Sequence, residues 1–272
     1  MIALLSLYRL SFLLLVASPN VFSFTGIKQR LRSSAKIPDF KQPSKLILIS
    51  GCPGTGKSTF GMGLALDQGI LKCISTDTVR AVMRSYVPKG ISPPLHRSSY
   101  MQPEQGENDA VKSWKETCNV LEDSVEGLVD DAIARGVSLV LEGVSIIPSS
   151  KLIDKFEAAG GVACGVLLCV SDENVHRTML EKRGFVTGNM DAEQKKIKSF
   201  DRVRLIQNEM ISLAKESGWV LIEQKTDPDP LDLVADYLYS QTCEIDPDPI
   251  PSNFGVHQEN NIESTKEENN IE

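Results

Sequence analysis

Residues 51–58 read Gly51-Cys52-Pro53-Gly54-Thr55-Gly56-Lys57-Ser58 and fit G-x-x-x-x-G-K-[ST] at every fixed position. They follow an apolar run, Leu46–Ser50 (LILIS), and lead into a helix-like stretch, Ser58–Asp67. A strand that runs through a glycine-rich turn straight into a helix is the first half of a βαβ unit. The chain must then return to lay a parallel strand beside the first. Glycines in such a loop let backbone N–H groups turn inward around phosphate oxygens, and the helix N-terminus adds partial positive charge. The motif predicts a nucleotide-binding loop made of Gly51, Cys52, Pro53, Gly54, Thr55, Gly56, Lys57, Ser58 and Thr59. Lys57 is expected on the β- and γ-phosphates of ATP, and the Ser58 hydroxyl on Mg²⁺.

Four further runs have strand character: Leu71–Ser75, Val137–Leu141, Gly165–Val170 and Trp219–Ile222. They are apolar throughout rather than alternating, which suits parallel strands covered by helices on both faces. Helices are predicted over Asn108–Arg135, Asp172–Arg183 with its SDEN start, and Ser199–Lys215; each is followed by a glycine that can end it. Pro88–Gly106 interrupts this pattern with four prolines and reads as a functional or movable loop.

The ends differ from the middle in charge. Residues 1–44 hold six basic residues against one acid, Asp39, and residues 243–272 hold eight acids against one base, Lys266. The net charge of −7 therefore says little about the intervening domain, expected over residues 45–242. Without a dense basic face a duplex-DNA binder is disfavoured, and an RNA partner with it. The start of the chain carries Arg9 and the apolar run Leu10–Ala17, a signal-peptide pattern over residues 1–23 and too short for a stable membrane span. Phe24–Ser44 is basic and serine-containing, as transit peptides are. Together they resemble the two-part leaders of proteins sent to plastids bounded by extra membranes, with the secretory pathway as the alternative. The 243–272 tail is too polar to offset the entropy of ordering and is expected to be disordered. Six cysteines without a CxxC pair are expected as free thiols, with Cys73, Cys164 and Cys169 in buried strands.

Strand ends supply the remaining candidates. Glu142 follows Val137–Leu141 and can hold a metal-bound water. Asp77 follows Leu71–Ser75, in the crevice where open α/β sheets bind ligands, and can accept a proton from an attacking hydroxyl. Its alternative role is to cap a helix starting at Thr78. Arg80 and Arg84, one turn apart, can grip an acceptor phosphate or carboxylate. Arg183 sits before Phe185–Gln194, a candidate lid, and can neutralise charge on the transferring phosphoryl group. Arg177 is assigned to adenine or phosphate, and His96 and Arg97 to the approach of the acceptor.

The segments GCPGTGKST, ISTDTVRAVMR, LVLEGVSIIP, VHRTMLEKRG and FDRVRLIQNEM resemble the archaeal-type 2-phosphoglycerate kinase family, a branch of the small phosphate-loop kinases. The resemblance spans Lys45–Tyr239. It implies a three-layer α/β fold with a five-stranded parallel sheet, ATP as donor, and a small phosphorylated hydroxy compound as acceptor. It also draws in Arg204, within the family-like run Arg204–Gln207, as a substrate-binding residue. Related segments occur in plant proteins of phytate metabolism, which leaves an inositol phosphate open as acceptor. A nucleotide-binding regulatory protein that hydrolyses ATP is the alternative from another class; Asp77 separates them, since only a kinase needs an acceptor carboxylate.

Overall fold

The computed structural model describes residues 43–103, 108–187, 194, 197–223 and 229–245, with side chains of 183–187 and 243–245 not included. The leader, most of the basic stretch and nearly all of the acidic tail thus lie outside the described residues.

Five strands form one parallel sheet: β1 (Lys45–Gly51), β2 (Cys73–Ser75), β3 (Leu139–Gly143), β4 (Val162–Cys169) and β5 (Val220–Glu223), in the order β2-β3-β1-β4-β5. Between and after them run α1 (Lys57–Asp67), α2 (Thr76–Tyr86), α3 (Pro93–His96), α4 (Ala110–Arg135), α5 (Lys151–Ala158), α6 (Glu173–Thr187), α7 (Phe200–Glu216) and α8 (Pro230–Ile245). This is the three-layer arrangement expected from the sequence.

The layers follow from the period of two along each strand. On β1, Leu46 and Leu48 face a core shared with α4 and α7, while Ile47 and Ile49 face a second core shared with α1 and α8. Ala163 and Leu167 of β4 join the first core; Cys164, Val166 and Leu168 join the second. Each fully buried aliphatic side chain contributes about 1.5–3 kcal/mol. That double burial is why these runs read as continuously apolar.

Several boundaries differ from expectation. β2 covers only Cys73–Ser75, because Leu71 is fully exposed and Cys73 lies at the sheet edge, exposed rather than buried. β3 extends to Gly143, which places Glu142 inside the strand. α6 continues through Gly184 to Thr187 instead of ending at the glycine. Pro88–Pro103 is no open loop: it carries α3, and Leu95 is buried against α4 and α2. Among the described residues no helix is long and apolar enough to cross a membrane, and five cysteines are free thiols.

β1 lies between β3 and β4: the connection after β1 runs to β2 on one side, and the connection after β3 crosses to β4 on the other. Parallel α/β sheets form a ligand crevice at such a switch point. The glycine-rich loop starts there.

Candidate nucleotide and metal site

The loop is held by its own backbone and by the sheet beneath it. A Cβ on Gly51 would fall 2.5 Å from the Leu168 carbonyl oxygen of β4, which leaves room for hydrogen alone. Gly54 adopts φ +87°, a left-handed conformation that favours glycine. The Thr55 hydroxyl and the Lys57 ammonium both donate to the Cys52 carbonyl, at 3.0 and 2.8 Å. Lys57 is 8% exposed, folded back over the loop. The Cys52 side chain turns the other way, into the core, where its thiol meets the Val203 carbonyl at 3.4 Å. Burial pushes that thiol up to about 12 despite the opposing charges of Lys57 and Arg204. Cys52 thus contributes backbone and packing to the loop, and no thiolate nucleophile.

Ser58 and Thr59 open α1 and are both exposed. The Ser58 hydroxyl donates to Glu142 Oε1 at 3.1 Å, across 84 residues of sequence. The sheet register explains the meeting: Glu142 pairs with Ile49 of β1, two residues before the loop, and with Ser75 of β2 on its other side. Glu142 is 5% exposed and abuts α1 where Gly61 has no side chain. A hydroxyl and a carboxylate converging at a phosphate loop form the hard oxygen donor set that suits Mg²⁺, so these residues fit the ion.

Across the sheet edge, Ser75 accepts a hydrogen bond from the Asp77 amide and caps α2. The helix therefore begins at Thr76, and Asp77 is not its cap. The Asp77 carboxylate stays exposed in the first turn, two residues beyond the level of Glu142.

The arginines expected around the acceptor take different positions. Arg80 is 4% exposed and donates to the Arg97 and Thr117 carbonyls and to the hydroxyls of Ser99 and Ser145, the last at 2.7 Å. It braces the 88–103 insert against α4 and the β3–α5 connection, so it is not an open arm for an acceptor. Burial lowers its proton affinity, partly countered by Asp77. Arg84 is exposed and donates through Nε to the Leu95 carbonyl at 2.8 Å. Arg204 donates to the Val170 and Ser171 carbonyls beyond β4, at 2.6 and 3.0 Å, with Glu173 Oε1 at 3.4 Å. Arg80 and Arg84 thus make their hydrogen bonds on the β3 side of β1 and Arg204 on the β4 side, and the three do not converge on one anion. His96 and Arg97 also serve the insert: His96 meets the Val87 carbonyl, and Arg97 pairs with Glu116 at 2.7 Å. Arg177 is exposed, with its guanidinium 4.3 Å from the centre of the Phe200 ring. The Arg183 side chain and the 188–193 part of the candidate lid lie outside the described residues.

Two residues near the loop, Gln207 of the family-like run and His176 of the VHRTMLEKRG segment, have partners that sequence spacing does not give. Gln207 exchanges hydrogen bonds with both backbone groups of Val170, at 3.3 and 3.0 Å. His176, fully buried on α6, meets the Pro53 carbonyl at 2.8 Å. Each lies on an otherwise apolar helix face, and only the tertiary contact reveals its partner.

The chain is similar to several known proteins. The chain is 30% identical over 183 residues to a 2-phosphoglycerate kinase of Methanocaldococcus jannaschii, covering 65% of this chain and 58% of that protein. It is likewise 30% identical over 198 residues to the 2-phosphoglycerate kinase of Methanothermobacter thermautotrophicus, covering 69% and 63%. The chain thus spans about six tenths of the length of these curated relatives. Among solved structures it is similar to a shikimate kinase from Acinetobacter baumannii, with 15% identity, a TM-score of 0.42, and 74% of this chain and 95% of that one covered. The profile of the AAA domain family matches residues 46–204, more than half of the sequence, including the phosphate loop, Asp77 and Glu142. With the loop, its supporting strands and that match in place, the chain belongs to the AAA domain family (AAA_33).

Proposed function

We propose that this protein is an ATP- and Mg²⁺-dependent kinase that transfers the γ-phosphate to a hydroxyl of a small phosphorylated metabolite resembling 2-phosphoglycerate. The observation that carries the reading is the Ser58–Glu142 pair at 3.1 Å, set beside Lys57 at the switch point of the sheet. The similarity to archaeal proteins named 2-phosphoglycerate kinase supports the acceptor class.

Each residue then has a role that its position allows. Inward N–H groups of the loop and the α1 N-terminus bind the nucleotide phosphates. Lys57, now donating to the Cys52 carbonyl, is within the loop that holds the β- and γ-phosphates and neutralises charge developing between them. Ser58 and Glu142 would hold Mg²⁺, which when bound screens the charge of the phosphate oxygens. Asp77, exposed at the α2 N-terminus, accepts the proton of the acceptor hydroxyl. Arg84 is the exposed cation on the same helix for an anionic acceptor. Arg177 is assigned to adenine or phosphate, and Arg183 to neutralising charge on the transferred group.

An acceptor screen tests the proposal: ATP consumption by the full chain with phosphorylated hydroxy acids, and with inositol phosphates. Transfer to a 2-phosphoglycerate-like acid, abolished in Lys57→Ala and reduced in Asp77→Asn, is the expected result. ATP loss without any acceptor, unchanged in Asp77→Asn, would refute the kinase reading in favour of a hydrolysing switch. For location, the two-part leader supports a plastid; a Met1–Ser44 fusion to a fluorescent protein that stays outside the plastid would overturn that.

A further inference from the structure

We propose that His176 is a positioning residue that sets the orientation of the Pro53–Gly54 peptide, so that the Gly54 N–H faces the nucleotide phosphates. The inference rests on the nucleotide-binding reading above and adds a residue that the motif does not contain.

The His176 ring is fully buried, with Nε2 at 2.8 Å from the Pro53 carbonyl oxygen. A carbonyl only accepts, so the proton lies on Nε2. Nδ1 is then an acceptor, buried and without a partner among the described residues. Burial is also the main cause that lowers the ring's proton affinity, and the Lys57 and Arg204 charges act in the same direction. An apolar side chain of this size would leave no orphaned atom. The distinctive contribution of the ring is therefore its bond to the loop.

That bond fixes a direction. In a trans peptide the carbonyl and the following N–H point opposite ways. Holding the Pro53 carbonyl outward, against α6, turns the Gly54 N–H toward the concave side of the loop. Pro53 has no N–H of its own, so this amide is the first donor after Cys52. Packing reinforces the orientation: a Cβ on Gly54 would fall 2.9 Å from Leu180 Cδ2 and 3.5 Å from His176 Cδ2. His176 and Leu180, one turn apart, thus form a wall behind the Pro53–Gly54 peptide. The ring is in turn held edge-on by Phe200, with centroids 5.4 Å apart and planes at 68°.

Nucleotide titration by calorimetry on the full chain tests the assignment. His176→Phe should bind ATP about 10-fold more weakly, on the scale of one charge-assisted hydrogen bond, with adenosine affinity unchanged. His176→Gln, whose amide can still donate to Pro53, should recover most of the ATP affinity. In the acceptor assay His176→Phe should raise KM for ATP and leave KM for the acceptor alone. ATP affinity in His176→Phe within twofold of the parent chain, or an equal loss for adenosine, overturns the proposal while the kinase reading stands. A parent chain that binds no ATP overturns both. If His176→Phe does not fold, His176→Asn, too short to reach Pro53, carries the same expectations.

Discussion

Gly143 ends β3 next to Glu142, and it touches the start of α2 more closely than any other residue type would allow. A Cβ built there lies 1.8 Å from Thr76 Oγ1, 2.9 Å from Thr76 Cβ and 3.2 Å from Thr76 Cγ2, at φ +154°. Rotating Thr76 relieves the first overlap but not the second, since its own Cβ is fixed to the backbone. Gly143→Ala must therefore push α2 away from β3. Overpacking costs about 1–3 kcal/mol and the unfavourable φ about 1–3 kcal/mol more, so a loss of roughly 3 kcal/mol is expected. The displaced residues include Asp77, which follows Thr76, so phosphotransfer should fall more than ATP binding. Thr76 Oγ1 is itself buried without a partner among the described residues, so Thr76→Ala alone should change stability little. In the Thr76→Ala/Gly143→Ala double variant the hydroxyl and methyl are gone but the 2.9 Å contact stays, and about half of the loss should return. Urea unfolding followed by circular dichroism measures all four corners of this cycle. A Gly143→Ala loss of unfolding free energy below about 0.5 kcal/mol, or strictly additive losses, would refute the close-contact argument.

Three other outcomes follow from the site. Glu142→Ala should raise the Mg²⁺ concentration for half-maximal activity by about 10–100-fold, read by metal titration at saturating ATP, and an unchanged requirement would remove Glu142 from the metal. His176 titrates lower in the folded chain than the ordinary value of 6.5, so the unfolded chain binds its proton first. Its contribution to stability is thus complete above pH 6.5 and lost as pH falls through the folded value, and the urea midpoint of His176→Gln should vary less from pH 7.5 to 5 than that of the parent. Arg80→Ala removes a donor from the oxygens of Arg97, Ser99, Thr117 and Ser145, of which Ser99 keeps the Thr117 hydroxyl; this should cost roughly 3 kcal/mol and speed tryptic cleavage within residues 88–103; cleavage at the parent rate would show that Arg80 does not hold the insert.

The loop, its strand and its helix were legible in the sequence because their chemistry is local. GCPGTGKS constrains consecutive backbone angles, and a strand buried on both faces has no polar side to show. Glu142 and Asp77 were legible for a related reason: residues at the ends of parallel strands gather at one edge of the sheet, whatever the strand order. Arg80 was misread because charge and helical spacing do not say whether a guanidinium meets solvent or protein. Arg80 and Arg84 share a face, yet one is buried beneath the insert and the other exposed, a difference decided by Leu95 packing between α2 and α4. The insert looked like an open loop because its proline content hid Leu95, Arg97 and His96, whose partners lie on other elements.

By itself, then, the sequence determined an α/β nucleotide-binding chain, with its phosphate loop and the two carboxylates at strand ends. The tertiary structure alone decided that Ser58 meets Glu142, that Gly143 lies against Thr76, that Arg80 is a brace, and that His176 supports Pro53 from 123 residues away. The physical reason is range: backbone geometry and hydrophobic period are written between near neighbours, whereas the partner of a buried polar group is set by whichever element the fold packs against it.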